Sequence, residues 1–136
     1  MTALQSPDPS IAYPSKTIQR AERAARCAPF QPLLYKEMQH QGVALRAIAS
    51  RAGVQNHYTQ RPLPELVVEN NLLWLIQVGL LRREVDGQGL TDSFRITPLG
   101  RQLLQRWNGT GFPPHPPLLL RLQNLVSRWM QLPGLQ

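Results

Sequence analysis

Apolar residues recur at helical spacing in several stretches of this chain, and polar residues with prolines separate them. Ser15 follows a proline and is placed to cap a helix running to about Ala28, with Ile18, Ala21 and Ala25 on a weakly apolar face and Lys16, Arg20, Arg23 and Arg26 opposite. A second helix begins at Pro32 and carries Leu33, Leu34, Tyr35 and Met38 on its core side, with Gly42 as its stop. A short third helix is expected over 44–52 from the spacing of Leu45, Ile48, Ala49 and Ala52, with Gly53 supplying a left-handed turn. Asn56 to Pro64 holds two prolines besides its polar residues and reads as a loop.

The clearest element is a helix over 64–78, whose Val68, Leu72, Leu75 and Ile76 form one buried stripe before Gly79 ends it. A strand over 80–85, a tip at Asp86, Gly87 and Gly89, and a returning strand over 93–97 make a two-stranded hairpin. Pro98 opens a further helix through Leu99, Leu103, Leu104 and Trp107, closing near Asn108 and Gly109. Residues 109–117 hold two glycines and four prolines and read as a linker. Beyond them Leu118, Leu122, Leu125, Val126 and Trp129 give an amphipathic helix over 118–131. Such a face needs a cover, either the core of its own chain or a dimer partner. The chain therefore divides into an arm (1–14), one domain (15–108), the linker (109–117) and the terminal helix (118–131). The fold class is mainly α with a small two-stranded antiparallel hairpin.

Two stretches carry a family resemblance. Leu45 to Val54, reading LRAIASRAGV, is similar to the second helix and turn of bacterial helix-turn-helix regulators. Leu72 to Glu84, LLWLIQVGLLRRE, followed by Phe94 to Leu104, FRITPLGRQLL, resembles the end of the recognition helix, the wing and the closing helix of MarR-, PadR- and ArsR-like repressors. The resemblance implies a winged helix-turn-helix domain with extra N- and C-terminal helices, in which Thr97 caps the closing helix and Gly100 permits close packing. It further implies DNA binding, with helix 64–78 in the major groove and the wing on the backbone. Carried over by position, the groove-facing residues would be Val67, Glu69, Asn70, Asn71, Leu73 and Trp74. Asn70 and Asn71 would read bases, because an asparagine amide pairs bidentately with adenine. Arg82, Arg83 and Arg95 of the wing would hold phosphate or a minor groove, and Arg46, Arg51, His57 and Arg61 would hold the backbone. The alternative is a winged helix that docks another protein, with Trp74, Leu122, Leu125 and Trp129 as anchors. Glu65 and Glu69 would repel phosphates, and the apolar face of helix 64–78, with Val67, Leu73 and Trp74, and the apolar final helix motivate that alternative.

Composition adds to this picture. Fifteen basic residues, thirteen of them Arg, against eight acidic ones give 136 residues a net charge of +7. That balance fits a polyanion partner, a nucleic acid or an anionic surface, and equally a soluble basic protein. Cys27 is the single cysteine, and the three histidines are scattered, so neither a disulfide within the chain nor a metal site is expected. No carboxylate pair, triad or phosphate-binding glycine loop points to an enzyme or to a cofactor. No apolar run approaches the ~20 residues of a membrane span. Met1 to Tyr13 does not read as a signal peptide, so a soluble cytoplasmic protein is expected, binding duplex DNA and dimeric through its terminal helices.

Overall fold

The computed structural model describes residues 12–111. Over them run helices α1 (Ser15–Cys27), α2 (Pro32–Glu37), α3 (Leu45–Ile48), α4 (Ser50–Gln55), α5 (Glu65–Gln77) and α6 (Pro98–Thr110). Strands β1 (Val43–Ala44), β2 (Leu81–Asp86) and β3 (Gly89–Ile96) make an antiparallel sheet in the order β1-β3-β2. The architecture is mainly α with a small sheet. Residues 1–11 of the expected arm (1–14), most of the linker and the terminal helix with Leu122, Leu125 and Trp129 lie outside the described residues.

Helix α1 starts one residue earlier in role than its sequence implies. Pro14 occupies the cap position in extended geometry, and its carbonyl accepts from Thr17 N (3.0 Å) and Ile18 N (3.1 Å). Ser15 is therefore inside the helix and makes no capping bond. Ala28 is extended with Pro29 after it, as the ring of a following proline requires, and this ends the helix. Ala21, Ala24 and Ala25 are buried, and their small side chains let α1 lie close on α5 and α6. Helix α2 stops at Glu37 rather than near Gly42, closing in turns from Gln39 N to Lys36 O and His40 N to Glu37 O. It buries Leu34, Tyr35 and Met38 but leaves Leu33 exposed. Full burial of the Tyr35 ring pushes its phenol well above the ordinary value.

The helix expected over 44–52 is two short helices meeting at an elbow. Ala49 is extended (ψ 156°), Ser50 is left-handed (φ 57°), and Ser50 N bonds Leu63 O at 2.7 Å instead of continuing the helix. Gly53 is not the left-handed turn residue; it lies buried within α4, where a Cβ would strike the Ile48 carbonyl and sit 2.8 Å from Thr59 Oγ1. Its lack of a side chain serves close approach, and the left-handed turn after α4 falls on His57 (φ 64°).

Helix α5 buries Val68, Leu72, Trp74 and Leu75, while Ile76 is half-buried. Trp74, placed outward by position, is only 6% exposed. Helix α1 covers that flank: the Arg20 guanidinium lies 6.0 Å from the Trp74 ring centre and its Nη2 donates to Gln77 O at 3.1 Å. The chain leaves α5 through left-handed Gly79 (φ 89°), which permits the Leu80 N to Leu75 O bond.

The hairpin pairs Leu81 with Ile96, Arg83 with Phe94 and Val85 with Leu90, with an irregularity between Arg83 and Val85. It is not two-stranded alone. β3 is longer than the sequence pattern implies, and its second edge is paired by β1, Val43 opposite Phe94 and Ala44 opposite Ser93. An unpaired strand edge is an unsatisfied ladder, and β1 covers this one over two residues. Thr97 then caps α6 as expected, accepting from Gly100 N at 3.1 Å and donating to Leu80 O at 3.0 Å. Gly100 lies against Ile96, where a Cβ would strike the Ile96 side chain and sit 2.7 Å from Leu80 O. Leu99, Leu103, Leu104 and Trp107 of α6 close the core, and Trp107 Nε1 donates to Glu22 Oε2 of α1 at 3.0 Å. Among the described residues no helix is long and apolar enough to cross a membrane.

Candidate nucleic-acid interface

Between Glu37 and Glu65 the chain has no acidic residue, and this stretch, 38–64, builds the α3–α4 elbow and its following loop. Arg46, Arg51, His57 and Arg61 all lie exposed on it. Three hydrogen bonds hold them in one unit. Ser50 N to Leu63 O sets the Arg61 segment beside Arg51. Asn56 Nδ2 to Ala47 O, at 2.9 Å, ties the end of α4 to α3 beside Arg46. Tyr58 N to Gly53 O, at 2.8 Å, folds the loop back after His57. Burial, and then the Glu37 carboxylate, push the neighbouring Tyr58 phenol upward, so that hydroxyl remains neutral. No carboxylate pairs with Arg46, Arg51 or Arg61 among the described residues. Exposed guanidiniums without partners keep both their charge and their forked donors for a phosphate.

The α5–hairpin surface is different in kind. Five carboxylates, Glu65, Glu69, Glu84, Asp86 and Asp92, stand against Arg82, Arg83 and Arg95, a net charge of −2 over residues 64–97. Two of the three arginines are engaged. Arg83 approaches Glu69 of α5 at 3.9 Å and lies 5.1 Å from the Phe94 ring centre. Arg95 meets Glu84 at 3.6 Å and donates to Gln39 O at 3.3 Å. Arg82 is exposed. Asn70 is exposed, whereas Asn71 is half-buried and donates Nδ2 to Val67 O of its own helix at 2.9 Å. Apolar side chains dominate the remainder: Leu66 is 67% exposed, Leu73 42%, and the cross-strand pair Val85 and Leu90 at the tip 67% and 71%. The structure thus separates the nine residues assigned to nucleic acid into a cationic elbow and an acidic, apolar face.

A family profile described as Npun_F0494-like matches residues 11–128. The chain belongs to the Npun_F0494-like family. No curated protein matches the chain, and no solved structure matches it. The Npun_F0494-like match takes in both surfaces and continues past α6, so residues 112–128 belong to the same family unit as the described helices. Two features of this Npun_F0494-like chain escaped the reading by resemblance. The absence of acid over 38–64 is visible in the sequence to anyone counting charges along it. The exposure of Val85, Leu90 and Leu66 is not, because alternation in a hairpin does not say which face is covered. A hollow of about 400 Å³ on α1 is lined by Lys16, Thr17, Gln19, Arg20 and Arg23, with no carboxylate, thiol or imidazole among them. Among the described residues no three His, Cys, Asp or Glu side chains gather into a metal site.

Proposed function

We propose that the protein binds duplex DNA through its phosphate backbone, with the α3–α4 elbow as the contact surface and a winged helix-type domain as the scaffold. The acid-free stretch with Arg46, Arg51 and Arg61 exposed and unpaired carries this reading. The order of α2, α3–α4, α5, hairpin and α6 supports the winged helix scaffold, as do the Thr97 cap and the Gly79 exit. Base reading by α5 has weaker support. Glu65 and Glu69 oppose phosphate at the groove, and Asn71 spends a donor on its own backbone. The predicted activity is therefore DNA binding with little sequence discrimination, in the setting of a transcriptional regulator or another DNA-bound assembly.

Salt dependence tests it. Each phosphate neutralised contributes about 0.9 to the slope of log affinity against log salt. Replacing Arg46, Arg51 and Arg61 together with Ala is expected to reduce the slope by about 2.7 and to weaken binding to all sequences alike. No binding at about 50 mM salt and micromolar protein, or an unchanged slope in the triple variant, overturns the assignment.

One observation favours a second reading, a protein-docking module. Among the described residues six large apolar side chains are left exposed, Leu33 on α2 and the other five on α5 and the hairpin. Both activities fit one molecule, because they use different surfaces.

A further inference from the structure

We infer that the acidic, apolar face of α5 and the hairpin is the seat of the chain's own segment Leu118–Met130. This rests on the second reading above, that the face docks a polypeptide, and it names the occupant. It does not depend on DNA binding.

Three observations converge on that segment. First, the face is apolar at Leu66 and Leu73, which are one helical face apart by seven residues, and at the Val85–Leu90 tip. The segment offers apolar side chains at 118, 122, 125 and 129, the same helical spacing. The exposed apolar side chains of α5 and the hairpin are left to water unless something covers them. Second, the charges are complementary. The α5–hairpin stretch 64–97 carries a net −2, whereas 118–130 carries Arg121 and Arg128 and no acidic residue. Two other surfaces are basic: the α3–α4 elbow carries Arg46, Arg51 and Arg61 on a stretch with no acid of its own, and the outer side of α1 carries four basic residues against Glu22. Third, a connector of useful length leaves the end of α6. Residues 111–117 are seven residues and span at most about 25 Å when extended, against a domain radius of gyration of about 13 Å. The family match supports treating them as one unit, since it runs through residue 128.

Photocrosslinking in the full chain decides the matter. With Leu73→p-benzoylphenylalanine, irradiation of the purified protein without DNA is expected to give adducts that map to 118–130 by peptide mass analysis. An adduct with the mass of one chain is expected, and an adduct with the mass of two chains overturns the assignment to the chain's own segment. Arg121→Glu with Arg128→Glu should lower the adduct yield about threefold or more, since like charges then meet Glu65 and Glu69. The inference is overturned if adducts form elsewhere in the chain or not at all, or if the charge reversal leaves the yield unchanged. Binding of an apolar dye to the full chain separates the two failures. Without adducts, dye binding that falls in Leu66→Ser/Leu73→Ser shows an open face, so a docking site stands with the wrong occupant assigned. Dye binding that does not respond to those substitutions removes the docking site as well.

Discussion

Gly53 of α4 lies against the carbonyl of Ile48 at the end of α3, with no space between them for a methyl group. That contact sets the angle of the elbow and so the positions of Arg51 and Arg61. The obstacle is backbone, which cannot swing aside as a flexible side chain would. Gly53→Ala is therefore expected to destabilise the fold by about 1–3 kcal/mol, as overpacked core sites do. It should weaken DNA binding in the fraction that remains folded. Gly87 is the control, since a Cβ there meets nothing within 4 Å. Gly87→Ala should leave the urea midpoint unchanged or raise it slightly. Equal midpoints for the two variants would show that the elbow is not set by this contact.

Trp74 separates a structural role from an interface role. It is buried under Arg20 of α1, so truncation removes core contacts rather than a docking anchor. Trp74→Ala should cost about 3–5 kcal/mol in stability, the range for large aromatic cores. Thermal unfolding monitored by far-UV circular dichroism measures it. A change within about 0.5 kcal/mol, the usual scale of a surface substitution, would place the ring at the surface instead.

The contrast between Trp74 and Thr97 shows which parts of this fold are written locally. The Thr97 cap, the close approach at Gly100 and the left-handed exit at Gly79 depend on residues within a few positions of each other, and their sequence signatures identify them. The side that Trp74 faces depends on α1, more than fifty residues earlier, which the periodicity of α5 does not encode. The same holds for β1. Two residues, Val43 and Ala44, become a strand only because Phe94 and Ser93 lie opposite them. The break at Ala49 is of this kind too, since the Leu63 carbonyl that captures Ser50 N comes from the loop beyond α4. For the candidate site, the positions of the charged residues were legible in the sequence. Their state was not: pairing of Arg83 with Glu69 and of Arg95 with Glu84 requires the register of α5, β2 and β3.

Tyr35 makes stability pH-dependent at the alkaline end. Burial raises its phenol pKa in the folded state above the ordinary value of 10.0. Below that value both states hold the proton and no stability is at stake. Above it the unfolded chain releases the proton while the native ring retains it, so stability falls as pH rises. One group of this type contributes a slope of about 1.4 kcal/mol per pH unit. Tyr35→Phe should remove that component, making the loss of stability above pH 10 shallower than in the wild type, whatever constant offset the lost hydroxyl adds. Chemical denaturation at pH 8, 10 and 11 gives the comparison; parallel pH profiles would exclude Tyr35 as the source.

Arg82 and Arg95 are register partners on β2 and β3, yet they predict opposite outcomes. Arg95 is engaged with Glu84 and the Gln39 carbonyl, and its side chain is 25% exposed. Arg95→Ala leaves Glu84, itself 32% exposed, without its cation, and a stability loss of about 1 kcal/mol is expected for such a partly screened pair. The salt slope of DNA binding should not change, because this guanidinium is turned into the protein. Arg82 points to solvent, so Arg82→Ala should leave stability unaltered. If the hairpin lies along DNA as a wing, that variant alone lowers the slope, by about 0.9. If DNA meets only the elbow, neither variant lowers it and the Arg46, Arg51 and Arg61 replacements account for the whole response. A slope reduced equally by Arg82→Ala and Arg95→Ala would mean that the Arg95–Glu84 pair opens on the phosphate backbone. The acidic face would then have to be redrawn as part of the DNA surface.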